Sequence, residues 1–133
     1  WDSGFGLRAN YTYTDTDSYI DGENVGPLEG VSESAYSLAF MFENERWDAQ
    51  LAADYSGRYV EVTDVVGGLS QYGDPITWVT ASVAYRLTDQ FTVSLEGRNL
   101  TDEYYLATMG RADMLAGFET WGRSLLLGVT AKF

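Results

Sequence analysis

Trp47-Asp48-Ala49-Gln50-Leu51-Ala52-Ala53-Asp54-Tyr55-Ser56 decides how this chain folds. Trp47, Ala49, Leu51, Ala53 and Tyr55 occupy every second position, and Asp48, Gln50, Ala52, Asp54 and Ser56 fill the positions between them. On a helix Asp48, Gln50 and Asp54 would scatter around the axis. On a strand, whose side chains alternate between two faces, they share one face.

The same period-two pattern extends in both directions from this stretch. Upstream, Tyr36, Leu38, Phe40 and Phe42 alternate with Ser37, Ala39, Met41 and Glu43, and Phe5 to Thr14 does the same with Arg8 and Asn10 on the polar parity. Downstream, Val79 to Leu87 carries Arg86 among its polar positions, Phe91 to Arg98 carries Glu96 and Arg98, and Ser124 to Phe133 carries Lys132. Arg123 alone departs from the rule, at the point where the last strand would leave its loop. Six strands are expected, with Arg8, Asn10, Asp48, Gln50, Asp54, Arg86, Glu96 and Arg98 on one common face.

The connections alternate in length. Residues 44–46 and 88–90 make short turns, whereas 15–34, 57–76 and 101–121 are long and rich in Gly, Asp, Glu and Ser. Short turns at one end and long loops at the other are the layout of an outer-membrane barrel. Phe5, Phe42, Trp47, Tyr85, Phe91 and Phe133 fall beside the short turns or the terminus, and Tyr13, Tyr36, Tyr55 and Trp78 beside the long loops. Two such groups suit two aromatic belts at membrane interfaces. A soluble β-sandwich shares the alternation but explains neither the belts nor the loop asymmetry.

Composition narrows the function. The 133 residues include no Cys and no His, so disulfides, Cys/His zinc sites and imidazole catalysis are excluded within them. Twenty acidic residues against eight basic give a net charge of −12, which repels nucleic acid. Aromatic residues make up 15% of the chain, and fourteen Gly stand against two Pro, a balance that suits strands and turns. No run is long and apolar enough for a membrane helix, and no leader peptide is expected within residues 1–133.

Glu96-Gly97-Arg98-Asn99-Leu100-Thr101-Asp102-Glu103-Tyr104-Tyr105 resembles the penultimate strand and following loop of TonB-dependent receptors. Trp121-Gly122-Arg123 through Gly128-Val129 to Phe133 resembles the last strand of that family, and Pro27-Leu28-Glu29-Gly30-Val31-Ser32 is similar to a common loop ending in it. The resemblance implies an all-β fold: an antiparallel up-and-down meander of six strands within a larger transmembrane barrel of the bacterial outer membrane. It makes residues 1–133 a C-terminal barrel segment, without the plug domain and the remaining strands. It also implies nutrient uptake of a siderophore, oligosaccharide or similar ligand, and no enzymatic activity. The implied partners are outer-membrane lipid, the rest of the receptor, the assembly machinery, and TonB only through an N-terminal part that these residues do not include. Phe133, Ala131, Val129 and Leu127 are similar to the terminal signal which that machinery reads.

Other constellations carry less. Six carboxylates between Asp15 and Glu33 invite Ca²⁺, but the EF-hand register from Asp17 places Tyr19 at its third position, so a solvated loop is expected. The carboxylates of the polar face suit a hydrated wall better than glycosidase chemistry. No cofactor is expected. Known single-chain barrels begin at about eight strands, so six leave two open edges. Such edges seek either the remainder of a receptor or copies of the same chain, and the second option is a self-assembling β-rich fibre.

Overall fold

A computed structural model describes residues 4–111 and 113–133. Twelve strands succeed one another: β1 Phe5–Tyr13, β2 Ser18–Ile20, β3 Glu23–Gly26, β4 Ser34–Glu43, β5 Trp47–Ser56, β6 Tyr59–Val66, β7 Leu69–Gly73, β8 Ile76–Arg86, β9 Phe91–Arg98, β10 Tyr104–Met109, β11 Leu115–Thr120 and β12 Ser124–Ala131. Among the described residues no helix forms.

The six alternating stretches pair in chain order as one antiparallel sheet, β1-β4-β5-β8-β9-β12. Its registers keep every parity intact. Phe5, Phe42, Ala49, Val83, Leu95 and Leu127 form one row across all six strands. Leu7, Phe40, Leu51, Ala81, Gly97 and Leu125 form the next. A slip of one residue in any pair would transfer that strand's apolar set to the polar face, which is why register is so strongly specified here.

Side chains close the short turns. The Asn44 Oδ1 accepts from the backbone N–H groups of Arg46 and Trp47, at 2.9 and 2.8 Å. The Thr88 Oγ1 does the same for Gln90 and Phe91, at 3.2 and 3.1 Å. Both are local substitutes for a backbone turn, the reason Asn and Thr favour such places. Because neighbouring strands reverse direction, both turns lie at the end of the sheet where β12 finishes. There the Lys132 amide donates to the Gln90 carbonyl at 2.9 Å.

Neither face of the sheet is covered. Leu125, Leu127 and Val129 are 72, 71 and 69% exposed, and among the described residues the buried apolar ones are only Ala39, Ala52, Val60 and Ala107. A soluble sandwich would bury one of these faces against a second sheet. This sheet is a single-layer wall with two open edges, β1 and β12.

The long connections are not the irregular loops expected from their composition. β6–β7 and β10–β11 are hairpins, and β10 pairs with β7 to join them in a second sheet, β11-β10-β7-β6. β2 and β3 form a separate hairpin. The first loop leans on the second: the Gly30 amide donates to the Val60 carbonyl at 2.7 Å, and the Thr63 amide to Glu29 Oε1 at 2.6 Å. Once β5, β8, β9 and β12 lie side by side, their connections emerge as neighbours. Pairing then satisfies backbone groups that would otherwise depend on water.

Candidate functional site

Cross-strand pairing assembles the polar face from six strands. Arg8 lies opposite Ala39, and Asn10 opposite Ser37. The Ser37 hydroxyl donates to Asp54 Oδ1 at 2.6 Å, which carries the row on to Trp78, the cross-strand partner of Asp54. Gln50, Ser82, Glu96 and Leu126 make another row, in which exposed Leu126 interrupts the polar surface. Arg98 pairs with Glu96, Nε to Oε1 at 2.6 Å, in an exposed bridge. Asp48 sits near the short turns between Glu43 and Ala84. Arg86 does not join the other charges. Its Nη1 donates to the Glu45 carbonyl at 2.6 Å and so holds a turn.

The opposite face receives Leu127, Val129 and Ala131 of β12, beside Leu95, Val93 and Phe91. Phe133 lies beyond the last paired residue and is fully exposed. Aromatic pairs flank this face at both ends. Phe5–Phe42 and Trp47–Tyr85 lie near the short turns, with centroids 4.8 and 4.5 Å apart. Tyr36 stacks on Tyr55 near the loops at 4.5 Å. Trp78 differs from expectation. Its pairing with Asp54 places it on the polar face, so it is not part of the loop-side belt.

The loop sheet and its flanks add side chains beyond the expected polar face. Trp121 meets Trp78 with centroids 5.1 Å apart, and Tyr105 lies 6.5 Å from Trp121. The Tyr105 hydroxyl donates to Glu61 Oε2 at 2.5 Å, and that oxygen also accepts from the Gln71 amide at 2.7 Å. Burial first, and the bond to Glu61 second, push the Tyr105 hydroxyl well above the ordinary tyrosine range. Arg58 lies over the Tyr72 ring at 4.3 Å, bridges to Asp74 at 3.6 Å and donates to Thr108, which is 1% exposed. The signals were present in the alternation of Tyr59-Val60-Glu61-Val62-Thr63 and the apolar run Tyr104 to Met109, but Gly and Asp around them read as loop.

Among the described residues no group of three carboxylates is arranged to hold a metal ion, the acidic stretch from Asp15 to Glu33 included. These rows make a wall with one polar and one apolar face. Residues 1–100 match the family described as TonB dependent receptor-like, beta-barrel. The chain belongs to that family. The match spans β1 to β9, and β12 extends the same sheet by regular pairing with β9. No curated protein and no solved structure matches it. TonB-dependent receptors are outer-membrane transport barrels, and in full-length form such a receptor associates with TonB.

Proposed function

We propose that this segment is part of the C-terminal barrel wall of a TonB-dependent receptor that imports a scarce nutrient across the bacterial outer membrane. Its apolar face meets lipid. Arg8, Asn10, Asp48, Gln50, Asp54, Arg86, Glu96 and Arg98 face the lumen, and the long connections stand outside the cell. The observation that carries this reading is the unbroken register, which collects the apolar residues of six strands on a face that none of the other described residues covers. Between the paired strands, lipid covers such a face at no cost in unsatisfied backbone groups, and the two edge strands meet the rest of the barrel. The alternation from Leu127 to Phe133 also suits the terminal strand that the outer-membrane assembly machinery reads. Deletion of Phe133 should then lower the amount of receptor inserted.

The chain has no Cys, which makes a labelling test clean within it. In intact cells carrying the full receptor, Glu23→Cys should react with a membrane-impermeant maleimide and Asp89→Cys should not. Labelling at Asp89 alone would invert the orientation. Labelling at neither site, with the protein absent from outer-membrane fractions, would remove the membrane reading.

A further inference from the structure

The loop sheet repeats the order of the wall beneath it. β6, β7, β10 and β11 pair in the same succession as β5, β8, β9 and β12, the strands to which they are joined through residues 57–58, 74–75, 99–103 and 121–123. β2 and β3 stand in the same way beyond β1 and β4. The two edges of the loop sheet differ. On the β6 side, the segment leading into β4 covers the edge, with Gly30 bonded to Val60 and Glu29 to Thr63. That segment is the neighbour which the order of the wall requires there. On the other side β11 is bare. Among the described residues it pairs only with β10, and five of its six residues are exposed. Leu115-Ala116-Gly117-Phe118-Glu119-Thr120 carries no Pro or Lys to blunt an edge.

The backbone shows which groups of β11 are free. The Asp74 amide donates to the Leu106 carbonyl at 2.9 Å, so Leu106 turns toward β7 and away from β11. In an antiparallel pair, opposite residues that do not bond each other both turn outward. Phe118, opposite Leu106, and Thr120, two positions on, therefore aim their N–H and C=O groups at the open side. The open edge of β12 lies on that same side, because the two sheets run in one order. We infer that β11 accepts a further antiparallel strand of the same receptor, the outward continuation of the strand that closes the barrel on β12. This rests on the barrel-wall reading above and goes beyond it, since a barrel can close within the membrane and leave its outer loops separate. In lipid β12 needs a partner. A strand antiparallel to β12 runs toward the loops, and it arrives beside β11 in the antiparallel sense. The outer loops then make a collar continuous with the wall.

The test uses the full receptor in outer membranes. Glu119, opposite Tyr105, turns its backbone to β10, so its side chain comes close to a strand added on the other side. Glu119→Cys is combined with single cysteines along the outward end of the first barrel strand. The pairs are oxidised and the linked peptides identified by mass spectrometry. Thr130→Cys, in β12, reports closure of the barrel itself. Glu119→Cys should link within one chain at every second position of a short stretch, the period of a paired strand. Phe118→Pro removes an outward N–H without removing a bond to β10, and it should abolish those links, whereas Phe118→Ala should keep them. Retained heat-modifiable migration on gels shows that each variant is folded. Links from Thr130→Cys with none from Glu119→Cys overturn the inference and leave the barrel reading intact. Links between two receptor copies, links without the alternation, or links that survive Phe118→Pro overturn it as well. Loss of the Thr130→Cys links, together with a failed Glu23 and Asp89 labelling pattern, strikes the barrel reading itself and the inference with it.

Discussion

Asn99 shows how much one side chain decides. It is 3% exposed and takes a left-handed backbone, φ 53°, which Asn tolerates better than most residues. Its amide donates to the carbonyls of Glu103 and Gly122 at 3.0 and 2.9 Å, and its Oδ1 accepts from the Glu103 amide at 2.8 Å. One residue thus ties the end of β9 to both ends of the connection before β12. Asn99→Ala should destabilise the barrel by about 1–3 kcal/mol in a urea titration in lipid vesicles, since it leaves half-buried partners unsatisfied. Asn99→Asp should be similarly harmful, because it sets a carboxylate against two carbonyls. Glu29 offers a pH test. The Thr63 amide donates to its carboxylate and holds its pKa below the usual 4.5. A depressed carboxyl pKa means the contact is at full strength above that ordinary value and is lost as pH falls through the lowered one. Exchange at the Thr63 amide, corrected for its intrinsic rate, should therefore accelerate in that acid window. Glu29→Gln, which keeps an acceptor oxygen, should remove the dependence.

Among the elements, β9 separates the two faces most sharply. Leu95 lies between Val83 and Leu127 on the apolar face, and the adjacent Ser94 lies between Ala84 and Gly128 on the polar one. In a bilayer Leu95→Arg should cost about 2–4 kcal/mol and Ser94→Arg far less, measured by folding titration into vesicles. Equal costs would mean that the two faces see the same solvent. The long strands were legible because each repeats its alternation over eight or more residues. The loop strands were not. β10 and β7 pair over only three residue pairs, and β6 meets β7 through irregular registers. Short strands broken by Gly67, Gly68 and Gly110 give periodicity too little length to register against turn chemistry.

For the molecule as a whole, the edges matter most. Among the described residues β1 pairs only with β4 and β12 only with β9, so each presents a row of unpaired N–H and C=O groups. In lipid each such group costs several kcal/mol, which no side chain of these strands offsets. The 133-residue chain by itself in detergent should therefore not give a folded, strictly monomeric species. Light scattering should find assemblies, and circular dichroism should find loss of strand content wherever monomers persist. A folded monomer would sink the argument that the two edges need partners.

The sequence by itself determined the six-stranded meander, its two faces and the end at which the short turns lie. Strand alternation is a local property, and an unbroken parity leaves one register in which all apolar residues agree. Arg8, Asn10, Asp48, Gln50, Asp54, Glu96 and Arg98 could be assigned to a common face for the same reason. Trp78 shares its parity with Arg86, so its place on the polar face was legible too. Only the tertiary structure decided that Arg86 holds a turn and that Asn99 staples a loop. The joining of β7 to β10, and the meeting of Trp78, Trp121 and Tyr105, also belong to it. Most of these contacts join residues distant in the chain, and they exist only because neighbouring strands deliver their connections to the same end of the sheet.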